Sequence, residues 1–273
     1  MKVHHPCFQR QRWLNRALCR RYAVVVFSAI SHPPLKNQLG QNRTFWWAFG
    51  CLIKGECEVL GAWSLDAKAV TTTEVFGNLH NRGVEFVRCG LGDLADVEAG
   101  FLATFRMAAV YPSIEQSLAS AIGSTKPRHR AAMVSLLRAA INESGAGVAT
   151  VSEPEISSED LRQKYPGILE RWDETAAAFE PLFLLADPYR RFVRSVDRAA
   201  IGMQERLVKA MHRHGPFADS AEAFDFVVDW LVRADLRLMR DAEAKELARG
   251  ALVSRSGRFA AVSGGAAGTP ALA

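Results

Sequence analysis

The sequence predicts an α/β protein in which a mixed β-sheet precedes a long helical region. Residues 1–111 alternate short β-branched or aromatic runs with helical patterns, whereas apolar residues recur at helical spacing from Pro112 onward. A turn at 54–56 separates the strand-like runs Phe45–Ile53 and Cys57–Trp63, which predicts an antiparallel hairpin. A hairpin beside strands that helices connect indicates a sheet with both parallel and antiparallel pairs.

The predicted elements follow one another in a definite order. Tyr22–Ile30 is nearly all apolar, as expected for a strand buried on both faces. After the hairpin, 71–81 fits a helix that Gly83 ends, 84–91 fits a fourth strand and 107–111 a short fifth strand. Strand, hairpin, helix, strand, helix and strand, followed by helices, is the order of the ribonuclease-H-like fold, and other α/β folds share it.

Periodicity and composition divide the chain into five segments. They are a basic lead-in (1–21), the first part of a ribonuclease-H-like core (22–124), a helical insertion (125–186), C-terminal helices of the core (187–250) and a disordered tail (251–273). The first of the long C-terminal helices is predicted from an apolar face made by Phe192, Val196, Ala199, Met203, Leu207 and Ala210.

Composition limits the possible partners only loosely. The chain has 34 Lys and Arg against 29 Asp and Glu, a net charge of +5, which permits contact with a polyanion without requiring it. Its five cysteines are odd in number and form no C-x-x-C pair, so we expect reduced thiols and neither a zinc ribbon nor a disulfide framework. No apolar run approaches the length of a membrane span, so we expect a soluble, cytoplasmic protein.

Several fragments of the sequence resemble the motifs of one protein family. Gly55–Trp63 is similar to the family hairpin Gly-Lys-(Lys/Arg)-Glu-Val-Leu-Gly-Leu-Trp, and Leu79–Glu85 resembles its Leu-Lys-Asn-Arg-Gly-Val. The other fragments, in the family order, are Arg12–Leu18, Tyr22–Ile30, Asp93–Leu94, Lys164–Ile168 with Trp172, Arg190–Val193 and Gly215–Phe217. The family is that of mutator-type bacterial insertion-sequence transposases, and the chain is identified as a divergent, N-terminally shortened member.

The resemblance implies DNA transposition by metal-dependent phosphoryl transfer on a ribonuclease-H-like fold. Two Mg²⁺ or Mn²⁺ ions would be held by three carboxylates, because hard cations prefer carboxylate oxygens. The first family aspartate falls at Ser28, the second at Asp93, and the glutamate at Gly202. Only Asp93 retains an acid and a metal ligand, and Glu205, about one helical turn beyond Gly202, is a weak substitute. We expect Ser28 and Asp93 side by side on adjacent central strands.

Other family features are also missing. The family carries a Cys and a His three residues apart where this chain has Ser113 and Gln116. Only about 21 residues precede the first strand, where family members carry a helical DNA-binding region, so recognition of terminal repeats is expected to be impaired. With one acid of three, we expect metal-assisted catalysis to be nearly lost, because such ligands act as a unit.

Three functions remain open at this stage. The favoured one is a catalytically defective transposase remnant, and an active transposase would need Asp93, Glu205 and a third acid not recognised in the sequence. The alternative is a non-catalytic regulator that binds DNA, an intact transposase or a second copy of itself. Arg190, Arg194 and Arg198 lie on one predicted helix face and could contact phosphates, although a solvated arginine face has the same pattern.

Overall fold

Five strands form one mixed sheet within the residues that the computed structural model describes, namely 6–31, 44–64, 71–92, 98–142 and 157–263. They are β1 (Arg21–Ser31), β2 (Thr44–Cys51), β3 (Cys57–Ser64), β4 (Phe86–Gly92) and β5 (Ala109–Pro112). The strand order across the sheet is β3-β2-β1-β4-β5. β1 pairs antiparallel with β2 and parallel with β4, and β4 pairs parallel with β5. The predicted α/β class with a mixed sheet and a hairpin is confirmed.

The helices are α1 (Pro6–Leu14), α2 (Thr72–Asn81), α3 (Glu98–Thr104), α4 (Ile114–Ala121), α5 (Arg130–Asn142), α6 (Ser158–Lys164), α7 (Pro166–Ala177), α8 (Glu180–Phe183), α9 (Asp187–His214) and α10 (Ser220–Ser263). Local sequence explains several of their ends. Thr71 and Glu74 form a capping box at the start of α2. Gly215, with φ of 91°, ends α9 in the left-handed region that favours glycine.

The hydrophobic core has two parts, one on each face of the sheet. Val24 and Val26 of β1 belong to the part that also contains residues of α4, α5, α7, α9 and α10. Val25 and Phe27 belong to the other part, with residues of α2 and α3. Because successive side chains of a strand point to opposite faces, a strand covered on both faces must be apolar throughout. This accounts for the unbroken apolar run that predicted β1.

The structure corrects the expectation that all cysteines are reduced. Cys51 and Cys57 form a disulfide, and their Cα atoms lie 4.1 Å apart. The two residues are direct partners in the β2–β3 register, which places their side chains on the same face at short range. The total count and the search for C-x-x-C pairs could not reveal this bridge, because it depends on strand register.

Helices form both ends of the described chain. The lead-in contains α1, whose Arg10 Nε donates to Asp229 of α10 at 2.6 Å. α10 continues to Ser263, although composition predicted a disordered tail from residue 251, and residues 264–273 lie outside the description. In the described parts of 125–186 every regular element is helical, as predicted, and the assignment of that span as an insertion stays a prediction. None of the described helices combines the length and apolar character needed to cross a membrane.

Candidate active site at the carboxyl edge of the sheet

The candidate site lies where the parallel strands β1 and β4 end. Val26 of β1 is the register partner of Leu91 of β4, and β4 ends one residue later at Gly92. A Cβ atom added to Gly92 would lie 2.8 Å from the carbonyl oxygen of Phe27, so the two strands remain in close contact at this edge. Ser28 follows on β1 and is buried. Asp93 lies outside the described residues, so its place beside Ser28 stays a prediction.

The side chain that meets Ser28 comes from Gln204 on α9, a residue that the sequence analysis did not single out. The Ser28 hydroxyl donates to Gln204 Oε1, and Trp47 Nε1 approaches the same oxygen at 3.4 Å. Gln204 Nε2 donates to the carbonyl oxygen of Ala29 at 3.2 Å. Ser28, Trp47 and Gln204 therefore form a closed network of uncharged groups over the end of β1.

The orientation of α9 follows from a second contact at its other end. The Tyr189 hydroxyl donates to the carbonyl oxygen of Ala23 at 2.9 Å, so α9 runs alongside β1 in the same direction. Gly202 and Gln204 are two residues apart, which corresponds to about 200° around the helix. Gly202 is therefore turned away from Ser28, and a Cβ atom added to it would meet nothing within 4 Å. Glu205 is exposed.

A buried carboxylate that the sequence analysis missed lies at the end of β5. Asp197 of α9 is only 2% exposed and accepts a hydrogen bond from the Ser113 hydroxyl at 2.6 Å and another from the backbone N–H of Glu115 at 3.0 Å. Ser113 in turn caps α4 by accepting from the backbone N–H of Gln116 at 3.0 Å. Burial raises the pKa of Asp197, and the hydrogen bond from Ser113 opposes that shift.

This arrangement assigns a local structural role to the two positions where the family carries Cys and His. Ser113 is the N-cap of α4, and Gln116 supplies the backbone N–H that the cap satisfies. Both also line a cavity of about 530 Å³ between α4 and α7 that reaches Gly92 and Pro112. The described residues that line this cavity include hydroxyl groups and Arg171, and none of those described is an Asp, Glu, His or Cys.

The described residues that contact Ser28 offer a divalent ion no charged ligand. Gln204 Oε1 already receives the Ser28 hydroxyl and faces the indole N–H of Trp47, and neither partner carries a negative charge. An ion placed here would have to break this network, and the three described side chains that form it would supply no negative charge, whereas Asp93 lies outside the described residues. Across the described residues, no group of three or more His, Cys, Asp or Glu side chains could hold a metal ion.

The arginines that sequence spacing placed on one helix face have different partners in the structure, and their role in DNA binding stays a prediction. Arg190 binds Asp187 at 2.7 Å and the carbonyl oxygen of Phe183 at 3.0 Å. Arg198 instead approaches Glu115 of α4 at 3.4 Å, and Arg138 of α5 binds the same carboxylate at 2.7 Å.

Arg194 belongs to the group around Glu115. Its pKa is lowered mainly by partial burial and next by the positive charge of Arg198, while Glu115 acts in the opposite direction. Arg138 and Arg198 therefore bring guanidinium groups from two helices to one carboxylate, and Arg194 lies four residues before Arg198, on the same side of α9. The sequence analysis missed Arg138, because α5 lies about 50 residues before Arg190 in the chain and only the fold brings them together.

The fold and this edge define the class of the protein: an α/β protein whose polar residues collect at the carboxyl end of parallel strands and under a late helix. The chain matches the family described as Transposase, Mutator family, over residues 9–224, and it belongs to that family. It is similar to the transposase for insertion sequence element ISRM3 of Rhizobium meliloti (strain 1021), with 24% identity over 207 residues.

A second relative has the same degree of similarity. It is named "Probable transposase for insertion sequence element ISRM3-like", from Sinorhizobium fredii (strain NBRC 101917 / NGR234), and is 24% identical over 207 residues. Each match covers 75% of this chain and 52% of the relative. The chain therefore spans about half the length of the curated relatives that it matches.

Proposed function

We propose that this chain is an insertion-sequence transposase with a ribonuclease-H-like core whose metal-dependent site for DNA cleavage is defective. The strand order β3-β2-β1-β4-β5, with β2 and β3 antiparallel to their neighbours, supports the assignment of the core. The family match supports the origin in an insertion sequence. The uncharged contact between Ser28 and Gln204 carries the proposal that the site is defective.

The physical argument concerns charge at the reacting phosphate. Two-metal phosphoryl transfer needs cations held beside an anionic substrate, and carboxylates supply the negative charge that holds them. Ser28 and Gln204 supply a hydroxyl and a carboxamide, which satisfy one another in the folded protein. With two of three positions neutral, Asp93 alone would bind Mg²⁺ or Mn²⁺ weakly, and activity would be lost almost completely.

The test restores the charges where the structure brings the two side chains together. We expect the variant with Ser28→Asp and Gln204→Glu to bind Mn²⁺ measurably in calorimetry, while the natural protein binds it weakly or not at all. The matched control is Ser28→Asp with Gly202→Glu, which adds the same charge on the opposite face of α9 and should bind no better than Ser28→Asp alone. Circular dichroism would verify that each variant is folded.

Cleavage of a nonspecific or pre-nicked duplex with Mg²⁺ or Mn²⁺ is the second measurement. The natural protein should give no product above background. Cleavage by the natural protein that Asp93→Ala abolishes would refute the proposal and favour an active transposase. Equal Mn²⁺ binding by the two double variants would refute the assignment of Gln204 as the partner of Ser28.

The cluster of Arg138, Arg194 and Arg198 supports a second function, in which the chain is a regulator that binds DNA without cleaving it. Such a regulator could also pair with an intact transposase or with a second copy of this chain. Arg138 and Arg198 share the single carboxylate of Glu115, and Arg194 lies four residues before Arg198 on α9, which favours a polyanionic partner. This function predicts binding to duplex DNA of arbitrary sequence that weakens steeply as salt increases. No change in affinity between low and high salt would argue against it.

A further inference from the structure

We propose that Arg138, Arg194 and Arg198 form a binding site for a DNA backbone phosphate and that Glu115 occupies this site as an internal counter-ion in the free protein. The inference rests on the second function above, the binding of DNA. It adds two assignments: Glu115 is the acid that competes with DNA, and Arg138 of α5 completes the site.

The geometry around Glu115 resembles the recognition of a phosphate. Arg138 Nη2 binds Glu115 Oε2 at 2.7 Å, and Arg198 Nε lies 3.4 Å from Glu115 Oε1. Each carboxylate oxygen therefore takes one guanidinium group. A phosphodiester also presents two unbridged oxygens, and arginine pairs with both kinds of oxyanion through its planar set of N–H donors.

Exposure indicates that a large anion can reach the cations. The Glu115 side chain is only 15% exposed, whereas Arg138 is 35% and Arg198 is 61% exposed. The carboxylate thus lies beneath Arg198, which is largely open to solvent, and beside Arg138, which is partly buried. The Arg198 side chain can turn outward to a phosphate at little cost, because its contact with Glu115 is long, at 3.4 Å, and its guanidinium end is largely solvated.

The position of the cluster also suits a ligand at the edge of the sheet. Glu115 lies two residues after Ser113, whose backbone N–H faces the carbonyl oxygen of Gly92 at 3.4 Å. The cluster is therefore close to the carboxyl ends of β4 and β5. The other nearby carboxylate, that of Asp197, is buried and committed to capping α4, so Glu115 is the acid that shares the arginines.

The experiment compares Glu115→Gln with Glu170→Gln in the full chain. Both substitutions remove one negative charge, but Glu170 is exposed on α7 and forms no ion pair with any residue that the structure describes. Fluorescence anisotropy with a labelled duplex of arbitrary sequence gives the affinity at several salt concentrations. We expect Glu115→Gln to tighten binding roughly tenfold at low salt, with a slope of log K against log salt steeper by about one.

Two arginine variants provide an independent measurement if Glu115→Gln alters the fold. Arg198→Ala and Arg138→Ala should each weaken binding and reduce the salt slope by about one. If Glu115→Gln binds no better than Glu170→Gln, the role of Glu115 is refuted, even where the arginine variants show that the natural protein binds DNA. If no variant binds the duplex, both this inference and the DNA-binding function fail, while Mn²⁺ calorimetry still decides separately whether the catalytic site is defective.

Discussion

Removal of the Asp235 carboxylate tests how the N-terminal helix is held to the rest of the fold. Asp235 of α10 is 1% exposed. It accepts hydrogen bonds from Trp13 Nε1 at 2.8 Å, from Arg16 Nη2 at 2.9 Å and from the backbone N–H of Val59 in β3 at 2.8 Å. This one side chain therefore connects the N-terminal segment, the edge strand β3 of the hairpin and the last helix. We expect Asp235→Ala to destabilise all three connections together.

The magnitude follows from burial and from the partners that remain. Breaking a buried ion pair by removing one member costs about 3–5 kcal/mol, because the other charge stays buried without its partner. Arg16 would keep Glu58 at 2.9 Å, which limits this cost, but Trp13 Nε1 and the Val59 N–H would also lose their acceptor, at about 1–3 kcal/mol for each buried donor left unpaired. We therefore expect a loss of about 3–5 kcal/mol, or about 6–20 °C in Tm for a chain of this size.

Urea denaturation followed by tryptophan fluorescence and circular dichroism measures this loss. The matched control is Asp229→Ala on the same helix. Asp229 binds Arg10 at 2.6 Å, but its side chain is 40% exposed, and the loss should stay below about 1 kcal/mol. Equal losses for Asp229→Ala and Asp235→Ala would refute the argument that burial makes the Asp235 contacts costly to remove.

Two further predictions concern the disulfide and the buried acid. Reduction of the Cys51–Cys57 bond should lower the free energy of unfolding by about 2 kcal/mol, since the bond closes a short loop, and a variant with serine at both positions should not respond to reductant in urea denaturation. Because burial raises the pKa of Asp197, the folded state binds this proton more tightly than the unfolded state does. Stability should therefore fall as pH rises from the ordinary aspartate value through the raised pKa, and Asp197→Asn should lack that component. Parallel pH profiles for the two proteins would contradict this assignment.

The strands could be predicted from the sequence because their signals are local. The apolar run of β1 and the turn between β2 and β3 each lie within about ten neighbouring residues. One of the family-like fragments, Leu79–Glu85, also has a structural role. Arg82 is buried and donates to the carbonyl oxygens of Arg16 and Leu60, and Gly83 has φ of 105°, which only glycine adopts readily.

The partner of Ser28 could not be predicted in the same way, because it depends on the rotation of α9. One residue along a helix changes the direction of a side chain by about 100°, so matching a short motif does not fix which side chain faces the sheet. The predicted apolar face included Ala199, which is exposed, while the observed buried face includes Asp197, Ala200 and Ile201. The sequence did offer a signal for Asp197, because it is a carboxylate that falls within the buried face of α9. Asp197 and Gln204 are seven residues apart, which places both side chains on one side of the helix.

Stability and metal binding should be coupled at the Ser28 position. In the natural protein the hydroxyl of Ser28 and the carboxamide of Gln204 satisfy one another without charge. Carboxylates at both positions would repel one another in a buried site and raise the pKa of one of them, so we expect Ser28→Asp with Gln204→Glu to be less stable than the natural protein in EDTA. Mn²⁺ at about one hundred times its Kd would return about 2.7 kcal/mol by binding only the folded state. Thermal unfolding with and without Mn²⁺ measures this difference, and the control with Gly202→Glu should show no such gain beyond that of Ser28→Asp alone. If Mn²⁺ raised the stability of both double variants equally, the added acids would be binding the ion at the surface. The assignment of Ser28 and Gln204 to a lost metal site would then be wrong.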